Sequence, residues 1–391
     1  MKRLRMVLTI FSLLWSMHTM AAVKETVLHS LNPSKGDGSG PAGPLFMDKA
    51  GNFYGGTDSG AVFQLSPKGS GGYNYNVIST CCEYGLGGFV MDASGNLYGT
   101  TYFGNVFELS PTTSGQWAYT LVYGFNVNVS DLTIDASGNL YGAAAYSGAY
   151  GDGYIFELSH ASGSWVLTDL FDFNGTDGAE GSGAAGFVPG VIFDGQGNLY
   201  GATYGGGASG DGVVFKLQNN SGSWSDTVLH NFTGADGANP VAKLVMDASG
   251  NLFGTASEGG AHGSGSVFET TLVGSTWVTY DLYDFAGYPN DGAYPDAPLV
   301  VASPGILYGV TAAGGPVNEC TIETSNGCGT AFKMQVYKGH GRETILHGFQ
   351  SAGDGGDPGG VIEDSSGNLF GAAMFGGSRN AGVVFELIPR P

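Results

Sequence analysis

Apolar and polar positions along this chain come in short bursts of four to nine residues, and no stretch of useful length keeps a helical period. The bursts recur as phrases. One is Asp-x-x-Gly-Asn-Leu-Tyr-Gly, beginning at Asp48, Asp92, Asp135, Asp194, Asp247 and Asp364, with a degenerate seventh copy from Ser303 to Gly309. A second is Val-Phe-Glu-Leu and its variants, beginning at Val62, Val106, Ile155, Val214, Val267, Ala331 and Val384. A third, often led by tryptophan and ending in an aromatic residue, starts at Trp117, Trp165, Trp224 and Trp277. A fourth precedes the aspartate, as in Ala242 to Asp247. Each phrase is a β-rich run bounded by turn residues.

The final glycines of the first phrase, Gly55, Gly99, Gly142, Gly201, Gly254, Gly309 and Gly371, are 43 to 62 residues apart. That period fits a four-stranded propeller blade with variable loops. The expected fold is all-β: a seven-bladed β-propeller with four antiparallel strands per blade. Strand one ends at the Asp, the Asp-Ala-Ser-Gly step turns into strand two, and Val-Phe-Glu-Leu and the Trp-led run are strands three and four. The glycine after Tyr is expected to let neighbouring sheets approach closely. The last repeat stops after its third strand, whereas Glu25 to Leu31 resembles the fourth strands at Glu343 to Phe349 and Thr227 to Phe232. The N-terminal strand is therefore expected to complete the last blade and leave no open sheet edge.

Composition adds the compartment. Lys2, Arg3 and Arg5, the apolar run from Met6 to Trp15 and the small Ala21 and Ala22 read as a signal peptide over residues 1–22, leaving one propeller domain over 23–391. The expected location is secreted, extracellular or periplasmic. Removing three of the 14 Lys and Arg leaves 11 against 34 acids, a net charge of −23. Such a surface argues against nucleic acid and against membrane insertion after signal removal. A monomer is expected. Export makes disulfides plausible. Cys320 and Cys328 would close a short loop inside an insertion, while adjacent Cys81 and Cys82 would form a strained vicinal disulfide or stay as thiols. No histidine accompanies either pair at zinc-ligand spacing.

The Gly-Asn-Leu-Tyr-Gly, Gly-Gly and Val-Phe-Lys/Glu-Leu phrases resemble the GloVer-type tandem repeat of bacterial exported proteins, over nearly all of the chain after residue 22. The resemblance implies export and a surface or extracellular role, and no defined chemistry. Relatives often end in an anchoring segment, and none is recognisable here. NHL and two-component-regulator repeats are more loosely similar.

The long loops, from strand two to three and from strand four to the next strand one, fall on one face, where binding is expected. Asp37, Asp177, Asp236, Asp291 and Asp354 begin the Asp-Gly loops, and Tyr146, Tyr150, Tyr204 and His262 lie in the two-to-three loops. Asp before Gly commonly starts a turn. The sharper reading is a ring of carboxylates around the channel mouth, able to hold Ca²⁺ or a sugar, although no calcium-loop motif is complete. His29, His230 and His347 share one fourth-strand position and read as structural. No catalytic motif is present. The expected function is non-catalytic binding of a glycan, peptide or protein partner through the loop-rich face. Alternatives are a polysaccharide-active hydrolase or lyase on the same scaffold, or a purely structural matrix protein.

Overall fold

The computed structural model describes residues 23–82, 88–161, 163–179, 189–317, 320–322, 325–351 and 353–389. The expected signal peptide lies outside them. Seven four-stranded antiparallel sheets form a seven-bladed propeller. From first to fourth strand, blade 1 runs from Pro41–Met47 to Tyr73–Ser79, blade 2 from Val90–Met91 to Trp117–Gly124, and blade 3 from Thr133–Ile134 to Ser164–Asp172. Blade 4 runs from Ile192–Phe193 to Ser223–Asn231, blade 5 from Val245–Met246 to Thr276–Asp284, and blade 6 from Val300–Ser303 to His340–Gly348. Blade 7 comprises Gly356–Glu363, Leu369–Phe375 and Val383–Ile388, and Lys24–Ser30 supplies its fourth strand, with Val27 opposite Phe385. The chain ends are thus clasped in one sheet. Among the described residues the only helix is the single 3-10 turn Pro33–Lys35.

The Asp-x-x-Gly-Asn-Leu-Tyr phrase has a direct physical explanation. In blade 1, Asp48 Oδ1 accepts from the backbone N–H groups of Ala50 and Asn52, and Oδ2 accepts from Asn52 Nδ2 and the Tyr54 hydroxyl. Gly51 sits at φ +79°, which favours glycine. One carboxylate therefore ties the turn, the asparagine and the tyrosine together, and the Asp92, Asp135 and Asp194 turns repeat the arrangement. The degenerate blade 6 turn lacks the Asp and still pairs Ser303 with Ile306.

The glycine after the tyrosine serves a different neighbour from the one expected. Gly55 pairs with Phe63 in its own blade, and a Cβ there would sit 2.3 Å from the Phe63 ring. All seven such glycines meet the third-strand phenylalanine of their own sheet in this way. Those rings, Phe63, Phe107, Phe156, Phe215, Phe268, Phe332 and Phe385, are fully buried. Blade-to-blade packing falls to the residue that ends each fourth strand. Phe125, Phe173, Phe232, Phe285 and Phe349 lie 4.5–5.3 Å, centroid to centroid, from the buried phenylalanine of the next blade. Leu31 takes that place against Phe63, and Cys82 takes it against Phe107. Cys82 is joined to Cys81, and Cys320 to Cys328.

Candidate functional site

Each predicted aspartate is occupied within its own turn. His29 Nε2 lies 2.9 Å from Asp37 Oδ2, His230 Nε2 2.9 Å from Asp236 Oδ2, and His347 Nε2 2.9 Å from Asp354 Oδ2. In blade 5 the Tyr283 hydroxyl donates to Asp291 at 2.8 Å. The backbone N–H just after each buried plug residue also donates to these carboxylates: Asn32 to Asp37, Asn174 to Asp177, Thr233 to Asp236, Ala286 to Asp291 and Gln350 to Asp354. The shared histidine position thus gains a purpose, since it ties the fourth strand to the loop that follows. For Asp236 and Asp354 burial works against the charged form, yet the hydrogen bonds win and hold both carboxyls below the usual range. The loop from Asp177 towards Pro189 passes through residues 180–188, outside the described set. The aspartates follow the fourth strands, each tied to the loop that it begins.

The channel wall is built from other residues. One column of the repeat immediately precedes the buried first-strand residue: Pro44, Gly88, Asp131, Gly190, Lys243, Pro298 and Gly360. Glycine and proline dominate it, and Asp131 and Lys243 break the pattern. Lys243 Nζ of blade 5 donates to the Leu132 carbonyl of blade 3 at 2.8 Å, passing Gly190 of blade 4. Contact that skips a blade requires the first strands to face one another across the axis. Burial pushes the Lys243 ammonium down to about 8, against the opposing pull of Asp131. Asp131 accepts in turn from the backbone N–H of Gly88. Asp58, Asp296 and Asp357, from blades 1, 6 and 7, form a second polar group. Burial raises all three carboxyls; Asp357 raises Asp296 further, and Asp58 raises Asp357. The sequence reading missed Lys243, Asp131, Asp296 and Asp357. Aligning the seven repeats residue by residue would have exposed the first two as exceptions in a Gly/Pro column. Among the described residues, no group of three or more His, Cys, Asp or Glu side chains is placed to hold a metal ion.

The loop-rich face also carries exposed rings. Tyr146 and Tyr150, on the blade 3 loop, are 53% and 67% exposed, and His262 is exposed on the blade 5 loop. Tyr204 is half-buried, and its carbonyl accepts from Asn239 Nδ2. Tyr102 and Phe103, which the sequence reading did not single out, are 49% and 55% exposed at the tip of the blade 2 loop, closed by Gly104 N–H to Thr101. Two consecutive aromatics at a turn tip, where other blades carry Gly, Ser or Asp, were the available signal.

Comparison with solved structures shows the fold. Virginiamycin B lyase from Staphylococcus aureus is 10% identical, with 94% of this chain and 98% of that one covered at a TM-score of 0.58. A streptogramin B lyase is 13% identical over 94% and 98%, at 0.59. The WD40 β-propeller domain of Doa1 is 11% identical over 93% and 97%, at 0.57. No curated protein matches the chain. Among the described residues no helix is long and apolar enough to cross a membrane. The Gloeobacter/Verrucomicrobia repeat matches residues 128–324, half of the chain and the stretch that carries blades 3 to 5, and the chain belongs to that family.

Proposed function

We propose that this protein is an exported, monomeric, non-catalytic propeller that binds a partner through its loop-rich face, and that the partner is a glycan. The observation that carries this reading is the group of exposed rings Tyr102, Phe103, Tyr146 and Tyr150 on the neighbouring two-to-three loops of blades 2 and 3. Water-exposed aromatic surface costs free energy unless something covers it, and flat rings suit the apolar faces of sugars. Peptide and protein partners can use the same rings. The five loop aspartates then act as supports that fix the loops, with Ca²⁺ not required. The test is a glycan-array screen of the mature chain beside the double variant Phe103→Ala, Tyr150→Ala. The reading expects saturable binding that the variant loses by roughly tenfold or more, about 1.4 kcal/mol. Binding unchanged in the variant would overturn it.

A second reading, a polysaccharide-active hydrolase or lyase, draws on the polar residues of the channel. Solved propellers of similar fold include lyases as well as a WD40 domain, so the fold does not choose between catalysis and binding. Lys243 and Asp131 break the repeat where a substrate threading the axis would meet them. Polysaccharide breakdown by the intact chain that Lys243→Met abolishes, with the melting temperature retained, would favour this reading over the first.

A further inference from the structure

The slots between blades are sealed near the short-turn face by an aromatic lid. Trp117 packs on Tyr54, Trp165 on Tyr98 and Trp277 on Tyr200, with ring centroids 5.9–6.1 Å apart, and Trp224 packs in the cluster of Tyr141. In each case the tryptophan belongs to the fourth strand of one blade and the tyrosine to the second strand of the blade before. Tyr73 covers Phe370 in the same way. The seal fails between blades 5 and 6. Counting from the bulge common to these fourth strands, Gly341 stands opposite Val336 where Trp277 stands opposite Leu272. The outer strands draw together there, and a Cβ on Gly339 would meet the Tyr280 ring at 2.6 Å. An open cavity of 440 Å³ remains, lined by Phe253, Tyr280, Glu269, Asp247, Asn251 and Thr271 of blade 5 and bordered by the Gly305 and Lys338–Gly339 turns of blade 6.

Blade 5 departs from the pattern at a second point. Blades 1 to 4 have a tyrosine whose hydroxyl reaches the turn aspartate, and the third-strand side chain beside it has a partner: in blade 2 Glu108 accepts from Ser110, and in blades 1, 3 and 4 the partner is that tyrosine. Gln64 donates to Tyr54, Tyr141 donates to Glu157, and Lys216 lies over the Tyr200 ring. Blade 5 has Phe253, which has no hydroxyl. Glu269 consequently lines the cavity at 8% exposure, and among the described residues no hydrogen bond reaches its carboxylate. Asp247 beside it keeps its three bonds from Ser249 and Asn251 and lacks the fourth, from a tyrosine. Lys338, on the blade 6 side of the cavity, lies over the ring of Tyr337. Glu269 is largely covered, its carboxylate opens on the cavity without a donor among the described residues, and a ligand that brings a donor recovers part of the lost solvation.

We propose that this cavity binds a small organic cation, an ammonium or amidinium group on a flat apolar body, with Glu269 as counter-charge and Phe253 and Tyr280 as walls. Aromatic faces favour such a cation, and the missing indole leaves room for its body. The site lies on the face opposite the long loops and stands independently of the glycan reading. Isothermal titration of the mature chain with phenethylammonium should show saturable binding, with 2-phenylethanol and phenylacetate roughly tenfold weaker or worse. Glu269→Gln removes the charge and keeps the shape, and glutamine already occupies this position in blade 1 as Gln64. Phe253→Tyr restores the hydroxyl present in blades 1 to 4. Both variants should lose binding at least tenfold while melting no lower than the parent by more than a few degrees. No saturation by about 10 mM, equal binding of all three analogues, or binding unchanged in both variants would overturn the proposal.

Discussion

Asp354 joins the fourth strand of blade 6 to the loop that follows it. It takes a hydrogen bond from His347, which lies before the buried plug Phe349, and another from the Gln350 N–H just after it. The same logic at Asp37, Asp236 and Asp291 predicts that chelation with EDTA leaves the melting temperature of the purified protein unchanged. A drop would mean that a metal selective for the folded state had been stabilising these loops. A different set of acids faces the seams between blades. Burial and the neighbouring Asp291 push Glu343 up to about 8, and burial and Asp177 push Asp226 up to about 7. One carboxylate oxygen of each has no hydrogen-bond partner, and the same is true of Glu25 in the N-terminal strand. Glu343 and Asp226 hold protons in the folded state that they release in the unfolded one. The stability they contribute is full below about pH 4, the ordinary carboxylate range, and is lost as pH rises through about 7 to 8. Asp236 and Asp354, whose carboxyls are held low, contribute in the opposite sense and lose their share only as pH falls below about 4. Thermal melts should therefore show higher stability at pH 5 than at pH 8, and Glu343→Gln should flatten the difference. A melting temperature that rises from pH 5 to pH 8 would contradict this assignment.

At the scale of the strand, the clasp is the feature on which the fold most depends. Lys24–Ser30 pairs along Val383–Ile388, Leu31 is fully buried against Phe63, and Val27 and Leu28 pack partly buried on either side. Each well-buried aliphatic side chain contributes roughly 1.5–3 kcal/mol, against a net stability of about 5–15 kcal/mol for a typical domain. Deleting residues 23–31 should lower the melting temperature by well over ten degrees and cause aggregation through the bared edge of Val383–Ile388. A deletion that melts like the intact mature chain would contradict the role given to the clasp. This strand was legible in the sequence because its phrase repeats those at Glu343 and Thr227. The Trp-led strands were legible too, but the reason for their tryptophans was not: the partner tyrosine lies in another repeat, and only the three-dimensional register shows that Gly341 leaves its partner uncovered.

Across the whole molecule, repetition decides what a sequence can disclose. Blade number, strand order and closure follow from local phrases repeated seven times, and each was readable. The places where the repeats differ gain meaning only when the blades are brought around one axis. Lys243 and Asp131 are 112 residues apart and meet through Leu132 in the channel, which no local motif announces. The aspartates attracted attention because they repeat, and each is hydrogen-bonded within its own repeat. Tyr102, Phe103, Tyr146 and Tyr150 stand outside the repeat and in water, and the binding account rests on them. The most direct test is hydrogen exchange on the mature chain with and without a glycan that binds in the array screen. The account predicts slowed exchange in the loops around Tyr102–Phe103 and Tyr146–Tyr150, with the Asp-x-x-Gly turns of the opposite face unchanged. Protection confined to the channel strands around Lys243, or to the opposite face, would contradict it.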